Sequence, residues 1–368
     1  MNTSIQIGKV MGIPVKLHIT FLLIIPWVAY IFSSVSDTYF GWPYGFGVVE
    51  PSMTRWTYSL AFSVLLFVCV ALHELGHSYV ARYYGIAIRS ITLYLFGGVS
   101  SMEEIPRNPK LELQMAFAGP GVSGALSIAF LLLYYQSTAI LSIKHPFAIL
   151  MSTLGIVNLT LMAFNLIPAF PMDGGRVLRA WLATRMPYVA ATNRAASIGK
   201  MFAILMGIFG LFSGGILLLV IAFFVYIGAS EEERATTINI CLEGILVRNI
   251  MSSEVHTVPP GMNLLELTDL VFREKHRGYP VVENEEMIGM VTTADIQRVP
   301  ESLRQATTVR DVMAKKIFDI GPDYEATAAM KKLTELGVRR LPVMENGRLV
   351  GILSREDLVR AMELCSRG

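Results

Sequence analysis

The sequence predicts a multi-span α-helical membrane domain of about six spans, followed by a soluble α/β domain. The chain has 368 residues, of which 53% are hydrophobic and only 16% are charged, and its mean hydropathy is +0.51. That composition is too apolar for a soluble globular protein. Nearly all the long apolar runs end by residue 228, and the later sequence has an ordinary soluble composition. This shift predicts a membrane domain over residues 1–228, a linker over 229–247, and two soluble modules over 248–305 and 306–368.

A membrane-spanning helix needs about 20 consecutive apolar residues. Four runs have this length, and they cover residues 15–34, 56–80, 113–135 and 146–167. A fifth run, over residues 201–228, is interrupted by Ser213, Gly214 and Gly215. It predicts either one overlong helix or two short spans joined by a tight turn.

The positions of lysine and arginine between the apolar runs predict the orientation of the spans. If six spans start from a cytoplasmic N-terminus, the outer loops hold only Arg55 and Lys144, and the other cationic residues of the membrane domain lie on the inner side. This bias predicts a multi-pass protein of the cell membrane with both termini in the cytoplasm. A cytoplasmic C-terminus requires the run over 201–228 to form a helical hairpin.

The sequence His-Glu-Leu-Gly-His at residues 73–77 follows the second apolar run. Two histidines four residues apart lie on one face of a helix, so His73 and His77 can bind the same metal ion. Glu74 lies between them and can act as a base on a water molecule. Ionisable groups near a membrane span are costly and rare, which makes them candidates for function. Because the second and fourth spans run in the same direction, Asp173 reaches the same membrane face as the histidines.

A catalytic zinc ion usually takes three protein ligands and leaves one position open. His73, His77 and Asp173 are the three ligands that we predict. Zinc lowers the pKa of a bound water molecule to about 7, and Glu74 could accept its proton and pass it to a leaving amine. On the residues alone, Asp173 could equally be a helix N-cap, because glycines and an arginine follow it.

The histidine motif resembles that of the site-2 protease family of intramembrane metalloproteases. Residues 165–175 match the second motif of that family, Asn-x-x-Pro-x-x-x-Leu-Asp-Gly, with Met172 in place of the leucine. The resemblance covers residues 1 to about 230 and implies an α-helical zinc endopeptidase that cuts membrane-anchored proteins in or near their transmembrane segment. It implies that His73, His77 and Asp173 bind zinc and that Glu74 is catalytic. Asn165 would stabilise the oxyanion or hold substrate, since an amide can donate to developing negative charge.

Two further segments fit this family. Residues 86–96 alternate in hydrophobicity as a strand does and precede Gly97 and Gly98. They predict either a surface hairpin without a role or a sheet edge that receives unwound substrate as an added strand. Gly119, Pro120 and Gly121 in the third span predict close helix approach and a break in the backbone.

Residues 249–364 contain an internal repeat with a constant offset of 62 residues. Met251 corresponds to Met313, and Gly289 corresponds to Gly351. Each copy has a helical stretch, two short strands around a turn and another helix, which predicts a compact α/β unit. His256 and His276 lie in the first copy, where we expect a surface or structural role.

The repeat resembles a pair of CBS modules, a family whose copies pack as a pseudo-symmetric pair with adenine-nucleotide clefts between them. The resemblance implies that Asp295 and Asp357 bond ribose hydroxyls and that Thr292 and Ser354 approach phosphate. The alternative is that these residues only cap the helices that follow them. CBS pairs commonly associate, so the resemblance also implies a homodimer. Which cleft binds nucleotide is open.

Together these patterns predict a zinc endopeptidase whose activity responds to adenine nucleotide bound to cytosolic CBS modules. A membrane transporter or channel gated by CBS modules is the main alternative. A transporter should show dispersed intramembrane charges or broken helices along a path, whereas here the polar groups are concentrated near one metal-like cluster. A catalytically inactive scaffold is less favoured, because every expected site residue is present. The net charge of +2 gives no indication of a nucleic-acid partner.

Overall fold

The computed structural model describes residues 4–94, 97–102 and 107–366. The chain divides into two compact units, Met1–Arg234 and Ala235–Gly368. The helices that begin in the first unit are α1 (Phe21–Ser34), α2 (Ser52–Tyr83), α3 (Pro109–Thr138), α4 (Pro146–Asn165), α5 (Asp173–Ala183), α6 (Tyr188–Ser213) and α7 (Ile216–Leu242). Among the described residues, α2, α3, α4 and α6 are long and apolar enough to cross a membrane. The predicted multi-span helical domain is thereby confirmed, with the number of spans approximate.

The strands of the first unit form a sheet and a separate hairpin. They are β1 (Ser4–Val10), β2 (Ile13–His18), β3 (Asp37–Tyr39), β4 (Trp42–Tyr44), β5 (Ile88–Tyr94) and β6 (Gly97–Met102). The sheet has the order β1-β2-β5-β6, in which β2 and β5 are parallel and the other pairs are antiparallel. The strand predicted after the second span is therefore present, as β5.

The first predicted span, over residues 15–34, is wrong at its start. Ile13 and Val15 are buried on one face of β2, because apolar residues alternate there with polar ones, as a strand requires. The helix that follows, α1, has only 14 residues. That length is short of the roughly 20 residues that a perpendicular span requires.

The apolar run over residues 201–228 forms two helices. Gly214 ends α6 in the left-handed conformation with φ +71°, which a glycine adopts without steric cost. α7 then packs back on α6, and Ala203 and Val225 share one buried cluster. Of the two arrangements that the sequence left open, the helical hairpin is the one observed.

α3 is continuous through Pro120, so the expected break in the backbone is wrong. The close helix approach does occur, because a Cβ on Gly76 of α2 would lie 2.9 Å from the carbonyl oxygen of Ala118 on α3. α7 likewise continues as a helix through much of the segment that we predicted to be a linker.

The second unit contains two copies of one fold. Its helices are α8 (Leu264–Glu274), α9 (Thr293–Gln297), α10 (Val309–Val312), α11 (Ala326–Glu335) and α12 (Arg355–Ser366), and its short 3-10 turns are Val247–Asn249 and Glu301–Leu303. Its strands pair as two antiparallel hairpins, β7 (Gly278–Glu283) with β8 (Glu286–Thr292), and β9 (Arg340–Glu345) with β10 (Arg348–Ser354). The predicted α/β organisation is confirmed.

The segment that begins each copy packs against a strand of the other copy, and it does so in the same way in both. A Cβ on Gly351 would lie 2.6 Å from Sδ of Met251, and a Cβ on Gly289 would lie 2.7 Å from Sδ of Met313. Each methionine thus packs on a strand of the other copy, and these are the residues that correspond in the repeat. The duplicated sequence therefore folds as a pseudo-symmetric pair.

Candidate metal centre

His73, His77 and Asp173 converge at one point in the membrane unit. Oδ2 of Asp173 lies 3.3 Å from Nε2 of His73 and 3.1 Å from Nε2 of His77, and the two Nε2 atoms are 3.2 Å apart. Ligand atoms that surround a tetrahedral zinc ion at about 2.0–2.1 Å are separated by about 3.3 Å. The triangle therefore has the size that a zinc ion requires, and its two imidazoles and one carboxylate are a known catalytic zinc donor set.

The two histidines come from one turn of α2, whereas Asp173 comes from the N-terminus of α5. The turn that leads into α5 packs tightly against the start of that helix. A Cβ on Gly174 would lie 2.2 Å from the carbonyl oxygen of Ile167, so a larger residue would displace this turn. The glycine after Asp173 therefore serves to position the carboxylate.

Two groups on α3 orient the imidazole rings. Nδ1 of His77 lies 2.7 Å from the carbonyl oxygen of Met115, and Nδ1 of His73 lies 2.9 Å from Oγ of Ser123. A carbonyl oxygen can only accept a hydrogen bond, so Nδ1 of His77 carries the proton and Nε2 keeps its lone pair for a metal. The sequence analysis missed both partners, because neither residue type marks such a role.

Gly119 of α3 lines the centre. A Cβ at this position would lie 2.2 Å from Nε2 of His77 and 2.6 Å from Nε2 of His73. Any larger residue would occupy the space between the ligand atoms. From the sequence, Gly119 was expected to permit close helix approach and a backbone break, not to line the metal centre.

The charge at the centre favours a cation. Burial alone would raise the pKa of the Asp173 carboxyl group, but the neighbouring imidazoles of His73 and His77 outweigh that effect and hold its pKa below the ordinary value. The carboxylate is therefore negative at neutral pH. Glu74 is half-buried, and its charge acts on His77.

Asn165 lies at the end of α4, and its amide nitrogen donates to the carbonyl oxygen of Leu161 at 3.0 Å. This amide is thus used within its own helix in the conformation observed. Its predicted role at the oxyanion stays a prediction, as does that of Glu74 as the base.

A buried ion network holds α5 in place. Nη2 of Arg179 lies 2.5 Å from Oε1 of Glu112 on α3, and Nη1 lies 2.7 Å from Oε1 of Glu232 on α7. The guanidinium group also lies 5.0 Å from the ring centre of Phe170 and 5.1 Å from that of Tyr188. Because Asp173 begins the same helix, this network fixes the position of the third metal ligand.

The four residues predicted to contact nucleotide form two helix caps. Oγ1 of Thr292 donates to Oδ2 of Asp295 at 2.6 Å, and Oγ of Ser354 donates to Oδ2 of Asp357 at the same distance. The backbone N–H groups of Thr292 and Ser354 donate to the same oxygens. The capping role that we kept as the alternative is thus present, and nucleotide contact stays a prediction.

Known proteins resemble both units. The model of peptidase family M50 matches residues 61–145 and 139–208, and the CBS domain model matches residues 247–302 and 309–364. The zinc metalloprotease MJ0392 of Methanocaldococcus jannaschii is 39% identical over 99% of this chain and 97% of its own length. Rip3 of Mycobacterium tuberculosis is 32% identical over 99% of this chain and 94% of its own. The solved structure of the site-2 protease from Methanocaldococcus jannaschii is 43% identical in sequence to this chain. The match covers 63% of this chain and 95% of the solved chain, with a TM-score of 0.44.

Proposed function

This chain belongs to the site-2 protease family, peptidase family M50, and from that premise we propose that it hydrolyses a peptide bond in or near the transmembrane segment of membrane-anchored proteins. It is a zinc metalloprotease of the membrane with a pair of CBS domains, as the sequence predicted. The transporter alternative loses its support, because MJ0392, which matches almost the whole chain with its CBS pair, is a zinc metalloprotease.

The observation that carries the proposal is the triangle of His73, His77 and Asp173. These residues hold zinc, which when bound supplies the Lewis acid that polarises the scissile carbonyl and activates water. Met115 fixes the tautomer of His77, and Ser123 holds the orientation of the His73 ring. The ligands thus need little rearrangement to receive the ion.

Glu74 is the general base and then the general acid. Its carboxylate accepts a proton from the attacking water and delivers it to the leaving amine, so that the C–N bond breaks and a carboxylate and an amine remain. Asn165 donates a hydrogen bond to the carbonyl oxygen as that oxygen gains negative charge. It must first release its bond to Leu161, which a side-chain rotation accomplishes.

The substrate must unwind before it is cut, because the hydrogen bonds of a helix shield its carbonyl groups. Within the described residues, β6 lies at an edge of the four-stranded sheet. An unwound segment can pair with such an edge as an added strand. The hairpin that follows α2 is therefore the proposed substrate-binding element.

The proposed orientation places both termini in the cytoplasm. β2 precedes α1 and pairs with β5, which follows α2. The start of α1 and the end of α2 therefore lie on the same side of the membrane. The arginine and lysine bias then supports a cytoplasmic location for this sheet. If α3, α4, α6 and the apolar first part of α7 each cross the membrane, these four crossings return the chain to the same side.

Adenine nucleotide bound to the CBS modules is the proposed regulator. The caps use only Oδ2 of Asp295 and of Asp357 for their hydroxyl and N–H bonds. A ribose hydroxyl can therefore approach Oδ1 of Asp357, whereas at Asp295 it would have to displace the exposed Arg298, which donates to Oδ1 at 3.2 Å. A change in the modules can reach the membrane unit along α7, which belongs to both units. If saturating AMP or ATP leaves the cleavage rate unchanged, the regulatory proposal is wrong. A homodimer is also proposed, and the mass of the detergent-solubilised protein tests it.

The proteolytic proposal is tested with two variants of the full chain and a membrane-anchored reporter. Glu74→Gln should retain zinc but lose cleavage, because an amide cannot accept the proton. Asp173→Ala should lose both cleavage and the zinc ion of the membrane centre. Glu231→Gln is the matched control, since Glu231 is exposed and should leave both unchanged. Cleavage by Glu74→Gln at the wild-type rate would refute the mechanism.

A further inference from the structure

We propose that His256, Glu274 and His276 form a second metal site, for a divalent transition ion, in the first CBS module. One ligand atom from each residue lies within 4.8 Å of the others. Nδ1 of His256 is 3.1 Å from Oε1 of Glu274, and the two imidazole ring centres are 5.2 Å apart. Two imidazoles and a carboxylate are donors that zinc and related ions prefer.

Two backbone segments, one that precedes Val258 and one at the end of α8, bring these residues together. His256 precedes Val258, whose N–H donates to Pro280 of β7 at 3.0 Å. Glu274 is the last residue of α8, and Lys275 then turns the chain in the left-handed conformation toward His276. The separation of the ligands is therefore set by the hydrogen-bonded core of the module.

A buried polar pair behind the cluster supports this site. Within the described chain, the hydroxyl of Tyr279, which is only 1% exposed, interacts with the carboxylate of Glu274, and neither that hydroxyl nor Oε2 of Glu274 has another partner. A buried hydroxyl that is directed at one carboxylate oxygen leaves the other oxygen to face the two imidazoles. Burial and the nearby charge of Glu274 raise the pKa of Tyr279 to about 12. The phenol therefore stays neutral and available to support the carboxylate as a metal ligand.

The second CBS module shows that the fold does not require these polar residues. At the corresponding positions, that module has apolar residues which pack in its hydrophobic core: Phe318, Leu336, Val338 and Leu341. The polar group is thus a property of the first module alone. A half-buried carboxylate at a position that is apolar in the second module is costly to desolvate, so Glu274 would lower stability unless it had a function.

The ordinary alternative is an exposed ion pair between His256 and Glu274, with His276 beside it. A pair of this kind contributes little to stability. It does not explain why a second imidazole converges on the same carboxylate. Both histidines are exposed, so their rings can rotate to close the ligand distances to the roughly 3.3 Å that a tetrahedral ion requires.

The proposal is tested by measuring the number of zinc ions bound per chain in the full-length protein in detergent. Protein stripped with a chelator is re-equilibrated with zinc alone, and bound zinc is measured by elemental mass spectrometry. The variant His256→Phe with His276→Val copies the second module and should fold. We expect it to hold one zinc ion fewer per chain than the wild type and to cleave the reporter at the wild-type rate. Equal zinc in both proteins would overturn the proposal.

Two further variants separate this site from the membrane site. In an Asp173→Ala background, added cobalt should give a visible absorption band that disappears with His276→Val. Glu274→Gln should weaken zinc binding by more than about tenfold, the loss typical even of groups that only support a ligand. Arg298→Ala, an exposed change in the same module, is the control and should alter neither the cobalt band nor the zinc affinity. A cobalt band that survives His276→Val would refute the site even if the membrane centre is as proposed.

Discussion

The membrane unit and the soluble unit differ in how their ionisable side chains are paired. In the membrane unit, Arg179 and Glu112 are buried and contact at least two partners each. In the soluble unit, charged groups such as Asp357 mostly cap helices or form exposed pairs. A low-dielectric surrounding makes an unpaired charge costly, so every group there needs a defined partner. The metal centre is therefore held rigidly by groups that themselves never touch the ion.

Removing the buried cation should produce the largest loss. Arg179→Met leaves Glu112 and Glu232 without their partner, and breaking a buried ion pair in this way costs about 3–5 kcal/mol. Unfolding of the detergent-solubilised protein, followed by circular dichroism, measures the change. Arg185→Met on the loop after α5 is the control, because Arg185 contacts only the ring of Trp181 at 4.5 Å among the aromatic contacts described. If both variants lost the same free energy of unfolding, the buried ion network would not be more important for stability than an exposed charge.

Filling the metal space should abolish zinc binding at the membrane centre without unfolding the protein. Gly119→Ala places a methyl group between the ligand nitrogens, and displacement of a reacting group by about 1 Å costs roughly 100-fold in rate. Bound zinc and reporter cleavage are both measured. Gly121→Ala is the matched control, since a Cβ there would have nothing within 4 Å. Full zinc content in Gly119→Ala would show that the triangle is not the metal centre.

Loss of a supporting hydroxyl should have a smaller effect on the same site. Ser123→Ala removes the group that orients His73, and such losses weaken metal binding by about 10- to 100-fold. Competition with a chelator of known zinc affinity gives the change. Ser127→Ala on the same helix, where the hydroxyl bonds only to Gly155, should leave zinc affinity unchanged. A similar affinity in both would mean that the rigidity of α2 alone aligns the ring.

The smallest effect is expected in the soluble unit. Ser354→Ala removes one helix cap and should lower the free energy of unfolding by about 1 kcal/mol. Thermal unfolding of the full chain measures the loss, and Ser354→Thr should restore most of it because threonine also caps helices. Zinc content and basal cleavage should not change in either variant. A large loss of zinc in Ser354→Ala would mean that the membrane unit depends on the soluble unit, although the two have separate hydrophobic cores.

Local patterns predicted the parts of the site that lie within one motif. His73 and His77 are one helical turn apart, so their convergence follows from helix geometry alone. The hairpin over 201–228 depended on Gly214, whose positive φ only the backbone reveals. The start of the first span was mistaken, because a short apolar strand and an apolar helix in succession resemble one continuous span.

The sequence by itself determined the division into a membrane unit and a duplicated soluble unit, and it determined the identity of the metal-binding motif. Those properties depend on composition and on residues close together in the chain. Only the tertiary structure decided that Met115 and Ser123 orient the histidines, that Gly119 leaves space for the ion, and that Arg179 anchors the helix of Asp173. These contacts join residues far apart in sequence, and their partners are fixed by packing and burial rather than by any local pattern.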